Sequence, residues 1–134
     1  MSELSGYTTK VVSVGFASGT VDATLPLFPA PFGGLTVTGA WAVTQDAVAA
    51  NGSVYLDVFL INGGTAGTAT TAIGTAASAG TVGWSAGVPK SITLNSAADE
   101  LTVGQWLVAK YDVTGAVTAP GNVRFVIHYV DGKG

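Results

Sequence analysis

Apolar and polar side chains alternate along most of this chain, and that period of two constrains the fold more than any other feature. Successive side chains of a β-strand point to opposite faces of a sheet, whereas a helix repeats about every 3.6 residues. The clearest example runs from 122 to 130, where one face consists of Val123, Phe125, Ile127 and Tyr129. Because helical periodicity hardly appears, the sequence predicts an all-β protein.

Glycine, proline and asparagine divide the alternation into about seven to eight strands. The most regular segments are 10–16, 20–27, 35–45, 54–61, 89–94, 105–113 and 122–130. We expect a hairpin between the first two and a break at the proline-containing segment 28–34. We also expect a hairpin turn at Asn51-Gly52, where both residues tolerate positive φ. Short, evenly spaced strands are typical of an antiparallel β-sandwich or jelly roll. We expect one such domain over 1–134.

The segment 65–83 consists almost wholly of threonine, alanine, glycine and serine, with Ile73 and Val82 as its larger apolar residues. Two interpretations remain open at this point. The segment forms either a long exposed loop or a strand whose small side chains press against a neighbouring subunit. Either interpretation leaves it as the part of the chain with the weakest pattern.

Charged residues make up only 10% of the chain, against about 25% in an average globular protein. Few charges leave wide neutral surfaces, which usually mark contact with another protein. The five basic residues are scattered, so we expect no nucleic-acid partner. No segment is long and apolar enough to predict a membrane helix or a signal peptide. There is no cysteine for a disulfide or a thiolate metal site.

Gly83-Trp84-Ser85-Ala86-Gly87 matches the G-x-S-x-G nucleophile elbow of hydrolases. Acids and the single histidine, His128, follow in the order that such enzymes use. An elbow needs a helix directly after the serine, however, and here Val88-Pro89 begins a predicted strand. We therefore predict a turn at Ser85, no catalytic residue and no enzyme activity.

His128 and Asp57 are the other polar side chains with chemical potential. His128 shares a strand face with Arg124, Val126 and Val130, opposite the more apolar face, so we expect it on the outer or interface face. A lone histidine without clustered acids is a poor metal ligand, and we expect neither metal nor cofactor. Asp57 lies in mid-strand between aromatic residues. Such a carboxylate must face water, pair with a cation or lie in a subunit contact.

The tryptophans give a further expectation about the core. Trp41 shares a predicted strand face with Leu35, Val37 and Val43, and Trp106 shares one with Val108. We therefore expect Trp41 and Trp106 between the sheets. Trp84, flanked by glycine and serine, is expected to be the most exposed of the three.

The segment from Ala97 to Asp112 contains an acidic corner, the pattern Leu-x-x-Gly-x-Trp and a strand. Together with the ending from Val126 to Gly134 and the Thr/Ala/Gly-rich middle, it resembles small β-sandwich proteins on the heads of tailed bacteriophages. The resemblance covers about the last third of the chain and has no diagnostic motif. It implies a capsid decoration (cement) protein, made in the host cytoplasm and located on the virion surface. It also implies a homo-oligomer, most often a trimer, whose partner is the major capsid protein.

A second hypothesis is a receptor-binding or carbohydrate-binding β-sandwich of a phage fibre or tail. Exposed Trp84 and Tyr7 would then stack on a sugar ring. No acidic or amide cluster accompanies Trp84 to hold hydroxyl groups, which favours the decoration protein. No partner-binding residue can be assigned from the sequence.

Overall fold

Strands account for all the regular secondary structure in the computed structural model, which describes residues 7–16, 23–67, 71–74, 82–96, 98–117 and 120–132. Within these ranges there is no helix, and hence none long and apolar enough to cross a membrane. The described strands are β1 (Tyr7–Phe16), β2 (Ala23–Pro29), β3 (Leu35–Thr44), β4 (Tyr55–Asn62), β5 (Thr71–Ala72), β6 (Lys90–Ser91), β7 (Glu100–Leu101), β8 (Trp106–Thr114) and β9 (Gly121–Asp131).

The strands form two antiparallel sheets, which confirms the predicted all-β sandwich. The first sheet has the order β1-β9-β3-β6, with β7 also paired to β3, and the second has the order β2-β8-β4-β5. Early strands pair with late strands in reverse order. The four pairs are β1–β9, β2–β8, β3–β6 and β4–β5. The chain is thus one long antiparallel ribbon wound into two sheets, which is the jelly-roll arrangement.

The core lies between the inner faces of the two sheets. β9 contributes its predicted apolar face, and Val123, Phe125 and Ile127 are fully buried. From the second sheet, β4 and β8 contribute Leu56, Val58, Leu60, Leu107, Ala109 and Tyr111. Alternation therefore predicted the inward side chains of β9 correctly.

The predicted hairpin between the first two strands is wrong. β1 and β2 belong to different sheets, where β1 pairs with β9 and β2 pairs with β8. The connecting residues 17–22 lie outside the described part of the chain. Pairing also continues past the predicted break, because Phe28 and Pro29 still lie opposite Leu107 and Trp106.

A β-bulge in β3 reverses the face on which Trp41 lies. Val37 is opposite Tyr129 and Gly39 is opposite His128, so Thr38 is an extra residue in the ladder. An extra residue moves every later side chain to the other face. Leu35 and Val37 point inward, but beyond the bulge Ala40, Ala42 and Thr44 take the inward positions. The expectation that Trp41 lies between the sheets is therefore wrong.

Trp84, expected to be the most exposed tryptophan, is buried, with 3% of its surface exposed. Its backbone forms an isolated bridge with Val48, and its indole Nε1–H donates to the Leu56 carbonyl oxygen at 2.9 Å. Lys90 covers the ring, with Nζ 5.6 Å from its centroid. Trp84 thus joins a loop to β4, an arrangement that strand alternation cannot predict.

Trp106 also lies on an outer face and is half-buried. It precedes the inward Leu107 in β8, so it and Val108 share the outer face of the second sheet. Val108 is nevertheless fully buried, because the loop after β4 covers it. A Cβ on Gly63 of that loop would lie 2.6 Å from Val108 Cγ2. The two residues do share a face, as predicted, but it is not the inner one.

The segment 65–83 is described in part. β5 pairs with the end of β4, Ile73 is fully buried, and Gly74 forms a bridge with Leu94. Residues 68–70 and 75–81 lie outside the described residues. A turn forms at Asn51-Gly52, with φ 86° at Gly52 and the Asn51 side-chain oxygen accepting from the Ser53 and Val54 N–H groups. It is not the predicted hairpin turn, because β3 and β4 on its two sides belong to different sheets.

The burial of the tryptophans predicts their effect on stability. Trp84→Ala should lower the free energy of unfolding by about 3–5 kcal/mol, the usual cost of truncating a buried aromatic residue. Trp41→Ala should cost clearly less, because its ring lies on an outer face. Urea unfolding measures both values. In single-tryptophan variants, acrylamide should quench Trp84 least, and free quenching of Trp84 would contradict its position.

Candidate interaction surface

The outer face of the first sheet presents regular rows of side chains across three long strands. The ladders place its residues in rows across β1, β9 and β3. The central row consists of Val11, Val126 and Trp41 and is named here the apolar row. The rows beside it are Thr9, His128 and Gly39 on one side and Ser13, Arg124 and Val43 on the other.

This face is almost free of charge. Among the described outward side chains of β1, β9 and β3, Arg124 is the only charged group. Val11 is 56% exposed although it is aliphatic, and Trp41, Val43 and Val126 are half-buried. Such a surface loses little hydration when a partner covers it.

Trp41 lies close against the backbone of its own strand. A Cβ on Gly39 would lie 2.9 Å from Trp41 Cη2 and 3.1 Å from Cζ3, so the ring occupies the space above that glycine. The His128 ring meets it in an edge-on arrangement, with centroids 4.9 Å apart. His128 thus lies on the outer face as predicted, and it supports the indole.

The outer face of the second sheet differs, because ionisable groups lie on it. Asp57 is directly opposite Asp112 in the β4–β8 ladder. Asp57 Oδ1 is buried without a hydrogen-bond partner. Burial, and secondly the nearby Asp112 carboxylate, raises the pKa of Asp57 above its ordinary value of 3.8. None of the environments expected for Asp57 included an acidic residue directly opposite it. Only the strand register shows that Asp112 lies there.

The Ser85 motif does not form a nucleophile elbow. Ser85 is exposed and lies in a turn, in which the Val88 N–H donates to the Ser85 carbonyl oxygen at 3.1 Å. The described residues 82–96 contain no helix to follow the serine. The turn predicted at Ser85 is therefore confirmed. His128, the one histidine of the chain, packs against Trp41.

The described residues contain no group of three or more histidine, cysteine, aspartate or glutamate side chains that could hold a metal ion. Asp57 and Asp112 form a pair only. Among the aromatic residues expected to meet a sugar, Trp84 is buried, and the side chain of Tyr7 lies outside the described part of the structure.

A second exposed apolar feature lies at one end of the sandwich. Phe32 is 97% exposed in the turn between β2 and β3, where the Gly34 N–H donates to the Pro31 carbonyl oxygen at 2.8 Å. The turn before β8 lies beside it, because the Ala30 N–H donates to the Gln105 carbonyl oxygen at 2.7 Å. Val103, in that second turn, is also exposed. Nothing in the sequence pattern distinguished these residues from buried ones.

The raised pKa of Asp57 predicts a pH-dependent stability. A carboxyl with a raised pKa favours the folded state at low pH, and this contribution is lost as the pH rises through the folded-state pKa. Asp57→Asn should therefore raise the urea midpoint at pH 7, and the gain should shrink as the pH falls towards 3.8. Asp131→Asn, at an exposed strand end, is the control. A gain that grows on acidification would contradict the assignment.

No family model and no curated protein matches the chain. Among solved structures it is similar to a chain of the "Cyanophage Pam1 capsid asymmetric unit", with 24% sequence identity, a TM-score of 0.49, and 93% of this chain and 86% of that chain covered. It is also similar to a chain of infectious bursal disease virus Gx strain, with 14% identity and a TM-score of 0.36. That likeness covers 93% of this chain and 34% of the viral one. The TM-scores are too low to identify a family, so we infer the function from the chain's own surfaces.

Proposed function

We propose that this chain is a structural protein of a bacteriophage particle, which binds the assembled capsid and stabilises it as a decoration protein. The outer face of the first sheet carries this proposal, because it is a regular, nearly uncharged surface on which Val11 is exposed and Trp41, Val43 and Val126 are half-buried. The sequence resemblance of the last third of the chain supports the same function. The jelly roll is compatible with it but also occurs in lectins, so the fold alone decides nothing.

A surface of this kind acts by burial and needs no catalytic group. Covering apolar side chains contributes roughly 25 cal/mol per Å². A chain that binds the assembled shell more tightly than its separate subunits shifts the equilibrium towards the shell. Stabilisation then follows from differential binding and requires no change in the chain itself.

The size of the face favours several contacts at once. The three strands are 10, 11 and 10 residues long, and at a spacing of about 4.8 Å they cover roughly 480 Å² in projection. A stable interface buries about 800 Å² on each partner. One face is therefore too small by itself, whereas a trimer would present three faces together and gain avidity. The homotrimer expected from the sequence is part of this proposal.

A carbohydrate-binding function is the alternative, and the position of Trp41 is the observation that favours it. An indole lying along a sheet offers a flat surface on which a sugar ring can stack. A sugar titration followed by the fluorescence of a variant that keeps Trp41 as its one tryptophan separates the two functions. A saturable change would favour carbohydrate binding.

Shell binding can be tested with the major capsid protein whose gene lies nearest to the gene of this chain. The chain should co-sediment with assembled shells and not with dissociated subunits, and it should raise the temperature at which shells open. Val126→Lys should abolish co-sedimentation, because it places a charge in the apolar row. Val82→Lys, at an exposed valine outside β1, β3 and β9, is the control. Equal binding of both variants would remove this face from the interface.

The oligomeric state gives an independent prediction. We expect multi-angle light scattering to measure a trimer at micromolar concentration, because low charge and Phe32 leave much apolar surface to cover. Phe32→Ser should reduce the trimer fraction without changing the urea midpoint. A strict monomer for the unaltered chain would contradict the trimer.

A further inference from the structure

A pocket of about 290 Å³ lies at one end of the outer face of the first sheet. Its lining residues come from β1, β3, β9 and the loop before β6. They are Ser13, Val43, Thr44, Gln45, Gly87, Asn122 and Arg124. The row Ser13–Arg124–Val43 forms part of this lining, so the pocket opens directly beside the apolar row. It is named here the Arg124 pocket.

Arg124 differs from the other described cations. Lys10, Lys90 and Lys110 each place Nζ over an aromatic ring, at 4.7, 5.6 and 5.6 Å from the centroid. Within the described part of the chain, Arg124 has neither a ring nor a carboxylate partner and is exposed. Its planar guanidinium is therefore available for a partner from outside the chain.

The remaining polar groups of the pocket are mostly hydrogen-bond donors or can act as donors. The Gln45 side-chain oxygen accepts from the Asn122 N–H at 3.2 Å, which leaves the Gln45 amide nitrogen free to donate. The Thr44 side chain takes an inward position and is fully buried, so its hydroxyl does not face the pocket. Ser13 adds a hydroxyl opposite Arg124, and none of the described lining residues carries a carboxylate. This is a site with unused donors and one cation.

We propose that the Arg124 pocket binds a carboxylate, supplied by an acidic side chain of the protein that the outer face contacts. A guanidinium and a carboxylate form two parallel hydrogen bonds, and this geometry fixes the position of the acid. The amide groups and the Ser13 hydroxyl donate to the same oxygens. The proposal rests on the proposed function and gives the chemistry of its partner.

The surroundings favour a single negative charge. Asp46 lies near the pocket, since a Cβ on Gly121 would lie 2.9 Å from Asp46 Oδ2, and Gly121 precedes Asn122. Its carboxylate repels a second anion, and it repels a doubly charged phosphate more strongly. The adjoining apolar row matches a protein surface, from which an acidic side chain would extend into the pocket.

The experiment uses the full chain labelled with ¹⁵N and a blocked amino acid, N-acetyl-glutamate methylamide. We expect saturable shifts at the Arg124 Nε–H and at the side-chain amides of Gln45 and Asn122. N-acetyl-glutamine methylamide, the neutral isostere, should cause none. Arg124→Gln should abolish the shifts, Lys10→Gln should preserve them, and Asp46→Asn should tighten binding.

Several results would overturn the proposal. They are the absence of saturable shifts, equal shifts with the neutral isostere, and tighter binding of inorganic phosphate or of glucuronate than of the glutamate probe. Tighter binding of phosphate would assign the pocket to a phosphate group, and tighter binding of glucuronate would assign it to an acidic sugar. The titration needs no capsid shell, so its failure and a failure of shell binding are distinguished. Shell binding that survives Arg124→Gln unchanged would also count against the pocket.

Discussion

The pairing of β9 on both of its edges is the constraint on which the rest of the structure depends. β9 is hydrogen-bonded to β1 on one edge and to β3 on the other along most of its length. Its inward residues, such as Phe125 and Ile127, fix the core, while Arg124 and Val126 define the outer face. A shift of one residue would exchange these two sets of side chains, so the core and the candidate interaction surface are specified by the same register.

Alternation predicted the all-β class, the positions of the long strands and the inward face of β9, because these depend on side chains that are close in sequence. It failed on the partner of each strand. A short turn between β1 and β2 is compatible with a hairpin and equally with a crossover to the other sheet. The choice between them depends on β8 and β9, which lie about a hundred residues further along the chain. Local sequence carries little information about that pairing.

The tryptophans show why single residues were harder to place than strands. One extra residue at Thr38 moves Trp41 from the core to the outer face, and a bulge leaves only a faint sequence signal, here the following Gly39. Trp84 lies in no long strand and is buried by its bridge to Val48 and its bond to Leu56. The interaction surface could therefore be expected from the low charge, but its aromatic member could not be identified.

The two outer faces differ in what it costs to cover them. The first carries valines, an indole and one arginine, whereas the second carries Asp57, Asp112 and Lys110. Covering the second face would require three ionisable groups to lose water, each needing a partner in return. Among the described side chains of β1, β3 and β9, covering the first requires this of Arg124 and of His128, which already packs against Trp41. A neutral partner surface with one acidic side chain would therefore meet the first face in one orientation, because apolar burial supplies affinity and the single ion pair sets the register.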